Sequence, residues 1–137
     1  MIRDKNIDPD ASFPLVIITQ PVNVGASFDG RAVETRMPFY GKVIHVHFRC
    51  SQITDADDSV RVKPQMVSTD VVAAAVDPVA ADTTTLFTLT ANTFSTGAML
   101  AGHVLTGAGD ALVGTFTWVV RPYLGVAERV AAGLGES

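Results

Sequence analysis

The sequence predicts an all-β protein, an antiparallel β-sandwich or jelly roll with extended terminal arms, and three observations carry that expectation. Across residues 44–50, Ile44, Val46, Phe48 and Cys50 fall on one side while His45, His47 and Arg49 fall on the other. One apolar and one wet face is the mark of an antiparallel sheet, because strands covered on both faces read as unbroken apolar runs. Seven or eight such short segments follow one another, separated by Gly, Asp and Pro turns, with no long helical pattern between them. One of them, residues 83–91, is dense in β-branched threonine, which favours a pleated strand over a helix.

Taken in order, residues 1–13 carry alternating charges, Pro9 and little apolar mass, and read as an N-terminal arm or loose terminus. Leu15, Val16, Ile17 and Ile18 then form a first strand, placed near a sheet edge by Pro14 and Pro21. Asp29-Gly30 signals a hairpin or loop. Residues 31–39 alternate loosely, with Ala32, Glu34 and Arg36 against Val33, Thr35 and Met37, and lead into the strand of residues 39–50 after Pro38. Beyond Ile53, the acidic stretch with Asp55, Asp57 and Asp58 precedes Val60-Arg61-Val62-Lys63, and the simplest expectation is a hairpin with an acidic tip. Residues 71–76 are small and apolar, and periodicity at that length does not separate strand from helix.

Residues 83–91 alternate, with Leu86, Thr88 and Thr90 facing away from Phe87, Leu89 and Ala91. The glycine-punctuated stretch 92–109 holds a loop and a short strand around His103. The last long strand spans 110–123 and ends at Pro122, with Leu112, Gly114, Phe116, Trp118 and Val120 on its apolar side. Residues 124–137 space Val126, Val130 and Leu134 as a helix would, but Gly125, Gly133 and Gly135 oppose one. The division expected is therefore an arm over 1–13, one domain over 14–123 and a tail over 124–137.

Composition bounds the function. The chain has 137 residues, enough for one core, with 47% hydrophobic and only 18% charged residues. No run approaches the ~18 apolar residues of a membrane helix, so no membrane partner is expected. The net charge is -4 and the ten basic residues are scattered, which disfavours nucleic acid. The N-terminus has no apolar signal segment, so synthesis in a cytoplasm is the default. The one cysteine, Cys50, is in phase with the core.

His45 and His47 are the weak candidates for a metal, since imidazoles two apart on a strand point the same way. The pair resembles the metal motif of cupins, yet the acidic ligand expected a few residues on is missing. Arg49 stands in the same phase, where it repels a cation, and the surroundings of His103 do not match the second cupin motif. Two histidines on a polar or intersubunit face are the plainer reading, and no metal or cofactor is expected. The three aspartates read as a solvated loop rather than a calcium site, lacking the glycine and distant glutamate of an EF-hand. No nucleophile elbow, phosphate loop or dinucleotide fingerprint occurs, and no carboxylate pair for sugar hydrolysis can be nominated, so an enzyme is not expected. Phe116 and Trp118, in phase with Leu112 and Val120, read as core.

Three stretches carry a resemblance: Met37-Pro38-Phe39-Tyr40-Gly41-Lys42-Val43-Ile44-His45-Val46, the threonine-rich run from Thr83 to Thr90, and Gly109-Asp110 opening the last strand. Together, over residues 12–123, they resemble the jelly-roll decoration, or cement, proteins of tailed bacteriophage heads. The resemblance implies a homotrimer on the virion exterior that touches the major capsid protein and stiffens the shell against internal DNA pressure. Low charge and abundant apolar surface suit an obligate oligomer. Under this reading the N-terminal arm, with Arg3, Asp4 and Lys5, is the expected capsid contact. A receptor- or glycan-binding jelly-roll module of a phage fibre is the alternative, and it calls for exposed aromatics at loop tips, for which Tyr40, Phe94 and Phe28 are the candidates.

Overall fold

The computed structural model describes residues 15–53, 60–67, 81–89 and 92–123. Eight strands form two antiparallel sheets: β1 (Val16–Val24), β2 (Asp29–Arg36), β3 (Tyr40–Ile53), β4 (Arg61–Val67), β5 (Thr83–Leu86), β6 (Thr93–Phe94), β7 (Met99–Leu105) and β8 (Leu112–Tyr123). One sheet runs β1-β8-β3-β5, with β6 also on β3; the other runs β2-β7-β4. The first strand pairs with the last, the second with the last but one, and the third with β6. Such nested pairing is a long antiparallel ribbon folded over on itself, the winding of a jelly roll. β5 departs from the scheme by pairing with β3 rather than β4.

The expected apolar side of β8 closes the core: Leu112, Phe116, Trp118 and Val120 are fully buried. Across the ladder Phe48 faces Phe116, their ring centroids 4.8 Å apart, a tilted pair worth about 0.5–1.5 kcal/mol beyond its area. From the second sheet Leu100, Val104, Val62 and Met66 complete the interior. Beside these two phenyl rings the facing positions are glycines. A Cβ on Gly102 would collide with the Phe116 ring, and one on Gly114 with Phe48 and the Arg49 carbonyl.

One buried polar cluster crosses the core. Trp118 Nε1 donates to Gln20 Oε1 at 2.8 Å, while Gln20 Nε2 donates to the Leu100 carbonyl at 2.8 Å and to Thr35 Oγ1 at 3.0 Å. Gln20 thus satisfies the indole of β8 and ties β1 to both β2 and β7. At one end, Thr106 Oγ1 donates to the Gly25 carbonyl and accepts from Phe28 N, pinning the β1–β2 turn. The Asp110 carboxylate accepts from Gly107 N at 3.1 Å, closing the turn in which Gly109 has φ 84° before β8.

Several expectations are corrected. Ile44 is not in the core: a bulge between Val43 and His45 pairs these with adjacent residues of β8, so Val43 joins Val46 inside and Ile44 turns out. A second bulge between Arg31 and Val33 lets both Ala32 and Val33 pack on the core. Asp29-Gly30 makes no hairpin tip but opens β2 within the ladder to β7. β3 and β4 do not form a hairpin either, because β4 pairs only with β7 of the other sheet, although Val60 and Val62 are buried as the alternation required.

β1 is longer than its apolar run and passes through Pro21, tolerated because it is the edge strand the prolines suggested. β8 likewise continues through Pro122 to Tyr123. The threonine-rich strand is shorter than expected and stops at Leu86, yet Phe87 is buried and Leu86 exposed, in the predicted phase. The strand around His103 is the central strand of its sheet rather than a minor one. Residues 1–14, 54–59, 68–80, 90–91 and 124–137, with the arm, the acidic stretch, the ambiguous apolar run, the end of the threonine-rich segment and the tail, lie outside the described residues.

Candidate functional site

The two outer faces of the sandwich differ in kind. On the β2-β7-β4 face the side chains are charged and mutually engaged: Arg31 Nη1 lies 3.0 Å from Glu34 Oε2, His103 Nε2 lies 3.3 Å from Asp29 Oδ1, and Arg36 donates to the Gly97 carbonyl. The face of β1-β8-β3-β5 is mostly uncharged. Register places Ile17, Val119 and His45 in one row, Thr19, Thr117, His47 and Leu86 in the next, and Pro21, Thr115, Arg49 and Thr84 in a third. The large apolar residues left exposed among the described ones are Leu15, Ile17, Ile44 and Leu86, and the last three belong to this face. Ile17 and Leu86, at 66% and 64%, present most of their surface to solvent.

The imidazoles of His45 and His47 stand at the centre of that face. His45 Nε2 and His47 Nδ1 are 2.8 Å apart and the rings meet edge to face, so one N–H is shared between two nitrogens. Burial, and then the neighbouring His45, lower the pKa of His47 from its ordinary 6.5 and favour its neutral form. One nitrogen of each ring in the pair is thereby engaged by the other. His103 lies on β7, in the other sheet, hydrogen-bonded toward Asp29, and is not brought to it. Among the described residues no cluster of three or more His, Cys, Asp or Glu gathers as metal ligands.

Arg49 shares the outer face of the histidines and reaches Asp82, Nη2 to Oδ1 3.3 Å. With the side chains 52% and 81% exposed, the pair is worth only about 0.2–1 kcal/mol. Cys50 is buried, and burial first, then the Asp82 carboxylate, push its thiol pKa up, which suits a core residue and opposes thiolate chemistry. Arg3, Asp4 and Lys5 lie outside the described residues, as do Asp55, Asp57 and Asp58.

The loop aromatics that a glycan or receptor site calls for are otherwise engaged. Phe94 is buried in β6, Phe28 packs against the core, and Tyr40 is half-buried at the start of β3. Sequence reading missed Gln20 and the collected apolar face. Gln20 carries no signal of its own, and the face appears only once four strands, far apart in the chain, are laid side by side.

No protein-family model matches the chain, and no curated protein does. Among solved structures, chains of two phage capsids are similar to it. A chain of the capsid asymmetric unit of cyanophage Pam1 superposes with a TM-score of 0.52 at 11% identity, covering 86% of this chain and 92% of that one. A chain of the acid-stable capsid of Helicobacter pylori bacteriophage KHP30 aligns at 13% identity, covering 80% and 92%, with a TM-score of 0.49. The β-sandwich of this protein is thus a fold that also occurs in a phage capsid.

Proposed function

We propose that this chain is a structural component of a bacteriophage capsid, and specifically a decoration or cement protein that binds the outer surface of the head and stabilises the shell. The observation that carries the reading is the asymmetry of the two outer faces. One is charged; the other collects exposed apolar side chains around a mutually hydrogen-bonded histidine pair. Exposed apolar residues on a single face mark an interaction surface rather than a reaction centre. The likeness to the Pam1 capsid chain, over most of both lengths, supports the setting.

In this reading the protein is a homotrimer, made in the host cytoplasm and assembled on the virion exterior, with the major capsid protein as its partner. Residues 1–13, through Arg3, Asp4 and Lys5, extend the contact. No catalysis, metal or cofactor is part of the role. The fibre module that reads receptors or glycans loses ground, because Phe94 and Phe28 are engaged with the core and Tyr40 begins a strand. The test is titration of purified protein onto undecorated heads followed by sedimentation. Saturable binding in fixed stoichiometry is expected; loss of all binding, with retention on a glycan surface instead, would overturn the proposal.

A further inference from the structure

We propose that His45 and His47 form an acid-opened latch: one shared proton holds the two rings together, and full protonation of both parts them and charges the centre of the β1-β8-β3-β5 outer face. The latch belongs to the free chain and does not depend on what that face meets. His45 Nε2 and His47 Nδ1 lie 2.8 Å apart with the rings edge to face. At that distance one nitrogen carries the hydrogen and the other accepts it. With both rings neutral the bond is present. With one ring protonated an imidazolium donates to a neutral imidazole, and the bond is kept and charge-assisted. With both rings protonated each contacting nitrogen carries a hydrogen and neither can accept. Two like charges then face one another at hydrogen-bond distance, so the rings must separate.

The surroundings decide when that last proton enters. Register places only uncharged side chains beside the pair: Ile17 and Val119 next to His45, and Thr19, Thr117 and Leu86 next to His47. The flanking rows on the same face are cationic, with Lys42 and Arg121 on one side and Arg49 on the other. Asp82 is the carboxylate described at this face, and it is engaged with Arg49. Tyr40 and Tyr123 lie one row beyond Lys42 and Arg121, while β1, β5 and β6 bring no charged side chain. Three cations against one carboxylate give the described face a formal +2, and protonating both rings raises it to +4. Burial and the neighbouring His45 lower the pKa of His47, the direction that delays the second proton. Acid thus charges the patch bounded by Ile17, Ile44 and Leu86, which opposes apolar contact there.

The test is NMR of the imidazole nitrogens in the isotope-labelled full chain, titrated from about pH 8 down to the acid limit at which circular dichroism still reports the native fold. At the neutral end a nitrogen–nitrogen coupling across the hydrogen bond should connect His45 Nε2 with His47 Nδ1. The pair should take up its protons in two separated steps, with the coupling kept through the first and lost in the second. His45→Ala, at a half-buried position on the outer face, should abolish the lower step and leave His47 a single titration. Independent single titrations of the two rings in the natural chain would overturn the latch. A coupling that persists to the acid limit of the folded chain would overturn it too. No capsid enters the measurement, so its outcome and that of the capsid role are read separately.

Discussion

Gln20 is the residue on which the two sheets lean most heavily for a polar group. It accepts from the Trp118 indole and donates to the Leu100 carbonyl and Thr35 within the core. Replacing it by leucine keeps the volume but strands a buried N–H and a buried carbonyl, each costing about 1–3 kcal/mol. Chemical denaturation of Gln20→Leu should show a loss of at least about 2 kcal/mol, with unchanged m-value. His47 makes a pH prediction. Its lowered pKa means the unfolded chain takes up the proton first, so its contribution is complete above the ordinary 6.5 and is lost as pH falls toward the depressed folded value. Charged groups sharing its face are Lys42 and Arg49 on β3, Arg121 on β8 and Asp82 beside β5, while β1 brings none. Melting temperature should drop as pH is lowered from about 7 to 5, and His47→Gln should flatten that dependence. Cys50, buried with a raised pKa, should resist thiol reagents in the native state and react on unfolding.

At the scale of elements, alternation located β3, β8 and the short β5, and turn residues bounded them, because both signals are local. What it could not reach were the partners. The acidic stretch before Val60 looks like a hairpin tip, but pairing depends on which sheet has room, and β4 is drawn to β7. The bulges at Ile44, near Ala32 and at Ser51 also escape periodicity: each shifts the phase by one residue and is visible only against the neighbouring strand. Glycine placement is equally non-local. Gly114 looks like a weak point inside a strand, yet it faces the Phe48 ring and the Arg49 carbonyl across the ladder. Gly114→Ala should destabilise by about 1–3 kcal/mol or more, as overpacking of a close contact does, read from urea unfolding. Phe116→Ala, which empties the same region, should cost about 3–5 kcal/mol.

For the whole molecule, the fold class was legible because composition, turn spacing and alternation all pointed to two sheets around one interior. The site was legible only in part. The histidine pair was found, along with the reason to doubt it as a metal site, but the apolar face around it was not. Two of its members look like core residues in the sequence, Ile17 in an apolar run and Ile44 in an alternating strand, while Leu86 falls in phase with the threonines. Their exposure follows from edge position and a bulge, which are properties of the assembled sheet. Under the proposed cement role, the protein must change the mechanics of the shell it touches. The direct measurement is the temperature at which DNA-filled undecorated heads rupture, with and without saturating protein. The account predicts that added protein raises that temperature, and that Ile17→Ser/Leu86→Ser removes most of the gain; saturating binding that leaves the rupture temperature unmoved would contradict it.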